Sequence, residues 1–273
     1  MDLGDLKDVD ELREIQLGKC KCFVHKEHRW VLSIIYHAQG RGLLPRPCTL
    51  VMFDAHHDSK RPACMERIRR IRAAGITFDE LVSLCKDSLS PLDDDWVMAG
   101  MELGLISDAV IFAGADLPAM EVPRRFTDHV GDVHRIELAA LPGRELQYQG
   151  RLSDVARKKC LSELWSILGW RHAPADGFAF AQKTGQILLD FDLDCFVVHW
   201  KEYYFPWPDE VFCNEFYRVS DYSSTKGWSG KRFLDGLVHR AAVVTVAMEP
   251  NHCGGEDKAQ IILGKVGRFL FSD

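Results

Sequence analysis

Apolar residues fall into short unbroken runs, separated by longer stretches in which they recur every three or four positions. The runs at 20–24 (CKCFV), 49–54 (TLVMFD), 109–113 (AVIFA), 131–137, 186–192 (QILLDFD) and 243–248 (VVTVAM) have strand length. Helical periodicity covers 28–40, 63–74, 77–86, 94–105, 154–168, 208–218, 229–241 and 256–270. In the first of these, Val31, Ile34, Ile35 and Ala38 share one face. Several strands are apolar throughout rather than alternating, as strands covered on both sides are. The alternation of such strands with helices predicts an α/β fold: a three-layer α/β/α sandwich around a mainly parallel sheet.

Residues 114–153 have the weakest pattern and carry Pro118, Pro123, Pro142, Gly131, Gly143 and Gly150, which suits an excursion or a lid. No stretch reads as a linker, so a single domain over 1–273 is expected. At 273 residues and 47% hydrophobic, the chain can bury a sizeable core.

The net charge of −6 and the absence of a long basic run argue against nucleic acid. The densest basic cluster, Arg67, Arg69, Arg70 and Arg72, flanks Ile68 and Ile71 and reads as a solvated helix face. No apolar stretch reaches the roughly 18 residues needed to span a bilayer, so no membrane partner is expected. The charged opening MDLGDLKDVDELREIQLGKC does not read as a secretory signal. The expectation is a cytoplasmic protein whose nine cysteines are reduced thiols. Cys20 and Cys22 fit a short strand better than a zinc site, because no second pair lies at zinc-site spacing.

Three strand ends are loaded with polar chemistry: Asp54-Ala55-His56-His57-Asp58, Asp190-Phe191-Asp192-Leu193-Asp194 and Met248-Glu249-Pro250-Asn251-His252. Ligand sites of open α/β sheets form at the carboxyl ends of strands. Side chains at i, i+2 and i+4 of an extended segment point together. Asp54, His56 and Asp58 therefore converge if extension persists to Asp58, as do Asp190, Asp192 and Asp194, while His57 faces away. Helix caps and turn aspartates would explain either motif alone. They explain the pair poorly, since five gathered carboxylates repel one another without cations. A carboxylate-dominated donor set favours a hard or borderline divalent ion such as manganese over structural zinc. The number of carboxylates suits two ions with bridging ligands.

DAHHD and DFDLD, with the later MEPN, resemble the ureohydrolase superfamily of arginases and agmatinases, whose signatures read D-A-H-x-D and S-F-D-x-D with a glutamate on a late strand. KEHRWVLSIIYHAQGRGLLP followed by TLVMFDAHHD is most similar to the branch of peptide arginases, which modify arginines inside ribosomally made peptides. The resemblance covers about 25–60, 93–113, 187–196 and 243–255. It implies an arginase-like fold and two Mn2+ ions: His28 and Asp58 on one, His56 and Asp194 on the other, Asp54 and Asp192 bridging. Taken alone, His28 would read as a helix-start residue. Asp190 stands where arginases often have serine and reads as an acceptor that orients a ligand.

The resemblance further implies hydrolysis of a guanidino C–N bond, with Asp58 carrying the proton to the departing amine and Glu249 pairing with the substrate guanidinium. The alternative for Glu249 is a turn cap before Gly254 and Gly255. The chain has no counterpart to the arginase loop that binds the free amino acid's α-amino and α-carboxylate groups. His129, His134, His199 and His252 are candidate proton shuttles outside any matching motif. The expected substrate is an arginine-containing precursor peptide, converted to ornithine with release of urea. Free arginine or agmatine hydrolysis, a zinc deacetylase of the related fold and a non-catalytic binding module are the alternatives. Asp95 and Trp96 are candidate substrate contacts, although the run Asp93-Asp94-Asp95 reads first as a helix start. The aromatic-rich segment 196–217 suits a peptide-binding wall, a satellite core or a homo-oligomer contact equally.

Overall fold

The computed structural model describes residues 6, 9, 11–18, 20–113, 125–140, 187–200, 203–212 and 230–272. Within them an eight-stranded sheet runs in the order β1-β2-β10-β7-β3-β4-β6-β5. Its strands are β1 (Arg13–Leu17), β2 (Cys20–His25), β3 (Cys48–Asp54), β4 (Ile106–Ala113), β5 (Arg125–Thr127), β6 (Val133–Ala140), β7 (Ile187–Asp192) and β10 (Ala241–Ala247). The six inner strands are mutually parallel, and β1 and β5 pair antiparallel at the two edges. Strands β8 (Val197–Trp200) and β9 (Tyr203–Pro206) form a separate antiparallel hairpin.

Helices cover both faces, giving the three-layer arrangement. Leu50 and Met52 of β3 point into one core with α1 (Val31–Gly40), α2 (Met65–Ala74), α3 (Phe78–Asp87) and α4 (Trp96–Glu102). Val51 and Phe53 point into the other, with α5 (Gly230–Arg240) and α6 (Glu256–Leu270). Period-two alternation on a strand buried on both sides accounts for the unbroken apolar run. Phe53 stacks between Phe112 and Phe191, with ring centroids 4.6 and 5.0 Å away, which locks the registry of the three central strands.

The expected strand at 131–137 is shifted to 133–140, and the expected helix at 94–105 is trimmed to 96–102. The expected helix at 28–40 opens as a 3-10 turn over His28–Trp30 before α1. The described part of the weak segment, 125–140, joins the sheet as β5 and β6 instead of standing off as a lid. The expected helix 154–168 lies outside the described residues, and of 208–218 only the turn Asp209–Phe212 lies within them. Three of the four arginines of α2 are bonded rather than merely solvated: Arg67 reaches Ser83 and Ser88, and Arg69 and Arg72 bond the buried Glu102 through its carboxylate and its carbonyl, while Arg70 is exposed. No described helix is long and apolar enough to cross a membrane, and the described cysteines are free thiols.

Candidate metal centre

Asp54 is the last residue of β3 and Asp192 the last of β7, and both are buried. His28 opens the turn that follows β2 and is fully buried. Its Nδ1 lies 2.9 Å from Asp58 Oδ2, 3.2 Å from Asp192 Oδ2 and 3.4 Å from Asp54 Oδ2. On the open side His56 Nδ1 lies 3.1 Å from Asp194 Oδ2 and 3.6 Å from Asp54 Oδ1, and its imidazole is half-exposed. The donors form two ligand groups that share Asp54: His28 with Asp54 and Asp192, and Asp54 with His56 and Asp194.

The strand ends hold these carboxylates by short local bonds. The His56 N–H donates to Asp54 Oδ1 at 2.6 Å, the Ala55 N–H to Asp194 Oδ1 at 3.1 Å, and the Asp194 N–H to Asp192 Oδ1 at 3.2 Å. Extension does not persist through the first motif: β3 stops at Asp54, and Asp58 has φ 44°. That left-handed turn, not strand alternation, carries the Asp58 carboxylate back over His28. His57 stays out of the cluster, bonded to Ser59 at 2.9 Å.

Asp190 approaches the far side of His28, with Oδ2 2.5 Å from Nε2, and its other oxygen accepts from Thr245 Oγ1. An imidazole held this way at Nε2 presents Nδ1 to the carboxylates. Thr245 and Asp190 are register partners across β10 and β7. Sequence reading passed over Thr245, although a polar residue inside VVTVAM was a signal that something polar lay opposite. It also missed that the Trp96 indole N–H donates to Asp58 Oδ2 at 2.8 Å from a fully buried ring. Asp95, the other candidate substrate contact, accepts the Ser90 N–H at 3.1 and 3.2 Å.

Glu249 follows β10 with φ 36° and turns its carboxylate to the cluster, where Oε1 accepts the His28 N–H at 3.3 Å. Asp194, Glu249 and His252 make a third group at the rim, with His252 Nε2 4.0 Å from Glu249 Oε2 and its ring 6.1 Å from that of His56. Of the other candidate shuttles, His129 is bonded to Glu102 and His134 to the Ser107 carbonyl, both on the α4–β6 side of the sheet. The side chain of His199 lies outside the described residues.

With protons as the only counter-charges, the electrostatics of the cluster are strained. Burial, reinforced by the charge of Asp54, pushes the Asp58 carboxyl up to about 8. Burial and the neighbouring carboxylates hold Asp192 and Glu249 well above the usual range. Burial works to lower the His28 imidazole, but Asp190 and Asp192 overrule it and keep it high. Asp54 bears the same burial penalty, yet its bonds to His56 and the charge of His28 bring it below the ordinary carboxylate value.

The residues fit divalent cations. Among the described residues, Nδ1 of His28 and Oδ2 of Asp54 are buried without a hydrogen-bond partner, both inside the cluster. Orphaned buried polar atoms of this kind are costly unless something ligates them. Two imidazoles among four carboxylates form a set suited to hard or borderline divalent ions. The cluster is a buried His/Asp donor set able to hold divalent metal, a composition that supports metal-dependent hydrolysis in general. A scan against protein-family models and a search of curated proteins found no match to the chain.

Proposed function

We propose that the chain is a dinuclear metal hydrolase of the ureohydrolase type, converting arginine residues of a precursor peptide to ornithine with release of urea. The observation that carries the reading is the pair of ligand groups sharing Asp54, with the Glu249 carboxylate beside them. Two Mn2+ ions are the proposed occupants; His28 and Asp58 would hold one and His56 and Asp194 the other, and Asp54 and Asp192 would be available to both. Such a pair lowers the pKa of a shared water and supplies a nucleophile near neutral pH.

Glu249 accepts two parallel N–H bonds from the planar guanidinium and turns its carbon toward the cluster. Water oxygen adds to that carbon and the bond to the side-chain nitrogen breaks. Asp58 delivers the proton to the departing amine, so urea and an ornithine side chain leave as neutral and cationic products. The missing counterpart to the arginase loop for free α groups supports a peptide substrate.

Mass spectrometry of an arginine-containing peptide, incubated with the Mn2+-loaded protein, tests the reading. Each processed arginine should lose about 42 Da, the net result of hydrolysis with urea release. Turnover of free arginine or agmatine with no change in peptide mass would replace it with a free-guanidino hydrolase. Deacetylation of an acyl-lysine peptide in its place would exclude guanidino chemistry.

A further inference from the structure

Residues 90–97 (SPLDDDWV) tie together two donors that arrive from different parts of the chain. Asp93 accepts from Arg29 Nη1 at 2.8 Å, and the Ser90 carbonyl accepts from the same nitrogen at 3.2 Å, which fixes the turn bearing His28. Asp94 accepts from Lys60, by its carbonyl from the peptide N–H at 2.9 Å and by its carboxylate from Nζ at 2.5 Å. The Val97 N–H donates to the Asp58 carbonyl at 3.0 Å. At the centre sits Trp96, whose N–H holds Asp58 Oδ2 at 2.8 Å and whose ring lies 4.8 Å from the His28 imidazole at 54°.

The other half of the cluster has no such support. Among the described residues, the hydrogen bonds of Asp54, His56 and Asp194 stay within the ends of β3 and β7, and none reaches 90–97. The two halves share Asp54 and meet through the Asp194–Asp192 bond, but among the described residues only one of them is also held by a clasp around a left-handed aspartate.

We propose that Trp96 is a positioning residue for one metal position alone, holding Asp58 and His28 in place so that the affinity there is set apart from that at the Asp54–His56–Asp194 position. This rests on the two-ion reading above. An outer partner that orients a ligand carboxylate changes metal affinity by about 10–100-fold when removed. Trp96→Phe keeps the ring and removes the N–H. Trp30→Phe is the control: Trp30 lies in the same core, and its buried indole N–H has no hydrogen-bond partner among the described residues.

The test is Mn2+ binding to the chelator-stripped full chain by calorimetry, with melting followed in parallel. The parent and Trp30→Phe should each bind two ions. Trp96→Phe should keep one at parental affinity and bind the second about 10–100-fold more weakly. Both ions retained at parental affinity in Trp96→Phe would overturn the proposal, as would both lost in step, the mark of a general core defect. A parent that binds no ions would instead remove the metal reading itself. If Trp96→Phe does not fold, a Zn2+ titration of the 15N-labelled parent decides. One of the seven tryptophan indole resonances should move with a single ion equivalent, and movement with both ions equally, or with neither, would overturn the proposal.

Discussion

Replacing Asp192 with asparagine should strengthen the metal-free fold and abolish its stabilisation by metal. Asp192 is buried, lies 3.2 Å from His28 and sits among the charges of Asp194 and Asp54. Burial and those charges raise its carboxyl well above 3.8. A carboxyl raised in the folded state contributes stability that is fully present below its unfolded pKa and is lost as pH rises through its folded pKa. At pH 8 the parent must hold an expensive proton or bury a charge. Asparagine does neither, and its amide oxygen can still accept the Asp194 N–H. Relief of one buried charge is worth about 1–3 kcal/mol. With metal the order reverses, because an ion at a hundred times its Kd stabilises by about 2.7 kcal/mol. Two ions give the parent about 5 kcal/mol, or roughly 10–20 °C in Tm for a chain of this size. The assay is thermal unfolding of both proteins at pH 8, with chelator and with excess Mn2+. A metal-dependent rise in Tm retained by Asp192→Asn would refute its place among the ligands. A metal-free variant less stable than the metal-free parent would refute the electrostatic account.

Raising the pH from 6.5 to 8 should lower the Tm of the metal-free parent. His28 and Asp58 keep protons that the unfolded chain gives up, at about 1.4 kcal/mol per proton per pH unit. Excess metal should flatten that slope by displacing those protons, and the same slope with and without metal would contradict the site. Glu249→Gln should leave the metal content unchanged and raise KM for an arginine peptide by about 10–100-fold, the worth of a charge-assisted pair. Loss of metal with substrate affinity intact would instead make Glu249 a ligand. Gly254→Ala should lower the urea midpoint by about 1–3 kcal/mol of stability. Gly254 has φ 82°, and a Cβ there would lie 2.5 Å from Tyr204 Cβ; an unchanged midpoint would mean that the hairpin is not held against this turn.

The parallel strands were legible because burial on both faces writes itself as an unbroken apolar run. Edge strands were not. Arg13–Leu17 alternates imperfectly and half-buried, and Arg125–Thr127 is too short to carry a period. The strand-end motifs point to Asp54 and Asp192 through position alone. Alternation along an extended chain points to Asp58 and Asp194 as well, but the chain leaves that extension after Asp54 and after Asp192, and Asp194 sits in a 3-10 turn. Tertiary partners were the hardest to read. Trp96 follows three acidic residues, and nothing in that string says that its N–H is aimed at residue 58 while Asp93 holds Arg29. Such links depend on where a turn ends in space, and periodicity does not encode that.

The order of the strands explains why donors so scattered in sequence meet. His28, Glu249, Asp192 and Asp54 follow or end β2, β10, β7 and β3, and these are four consecutive neighbours in the sheet. All four run parallel, so their carboxyl ends open on one edge, a few ångströms apart. Each strand gains its stability from its own apolar faces, and the polar residues gather toward the carboxyl ends, with Asp190 and Thr245 a buried bonded pair inside β7 and β10. Backbone strain collects at the same edge. Among the described residues four non-glycine positions have positive φ, and three of them, Asp58, Asp93 and Glu249, lie in the site or its clasp. Conformations of this kind cost about 1–3 kcal/mol each and persist only where surrounding contacts enforce them. Here the enforcing contacts are the Trp96–Asp58 and Arg29–Asp93 bonds and the His28 N–H on Glu249, each of which holds one strained residue. Releasing one of them should relax the strained residue it holds and leave the other strand-end donors in place, as the expectation for Trp96→Phe at a single metal position requires.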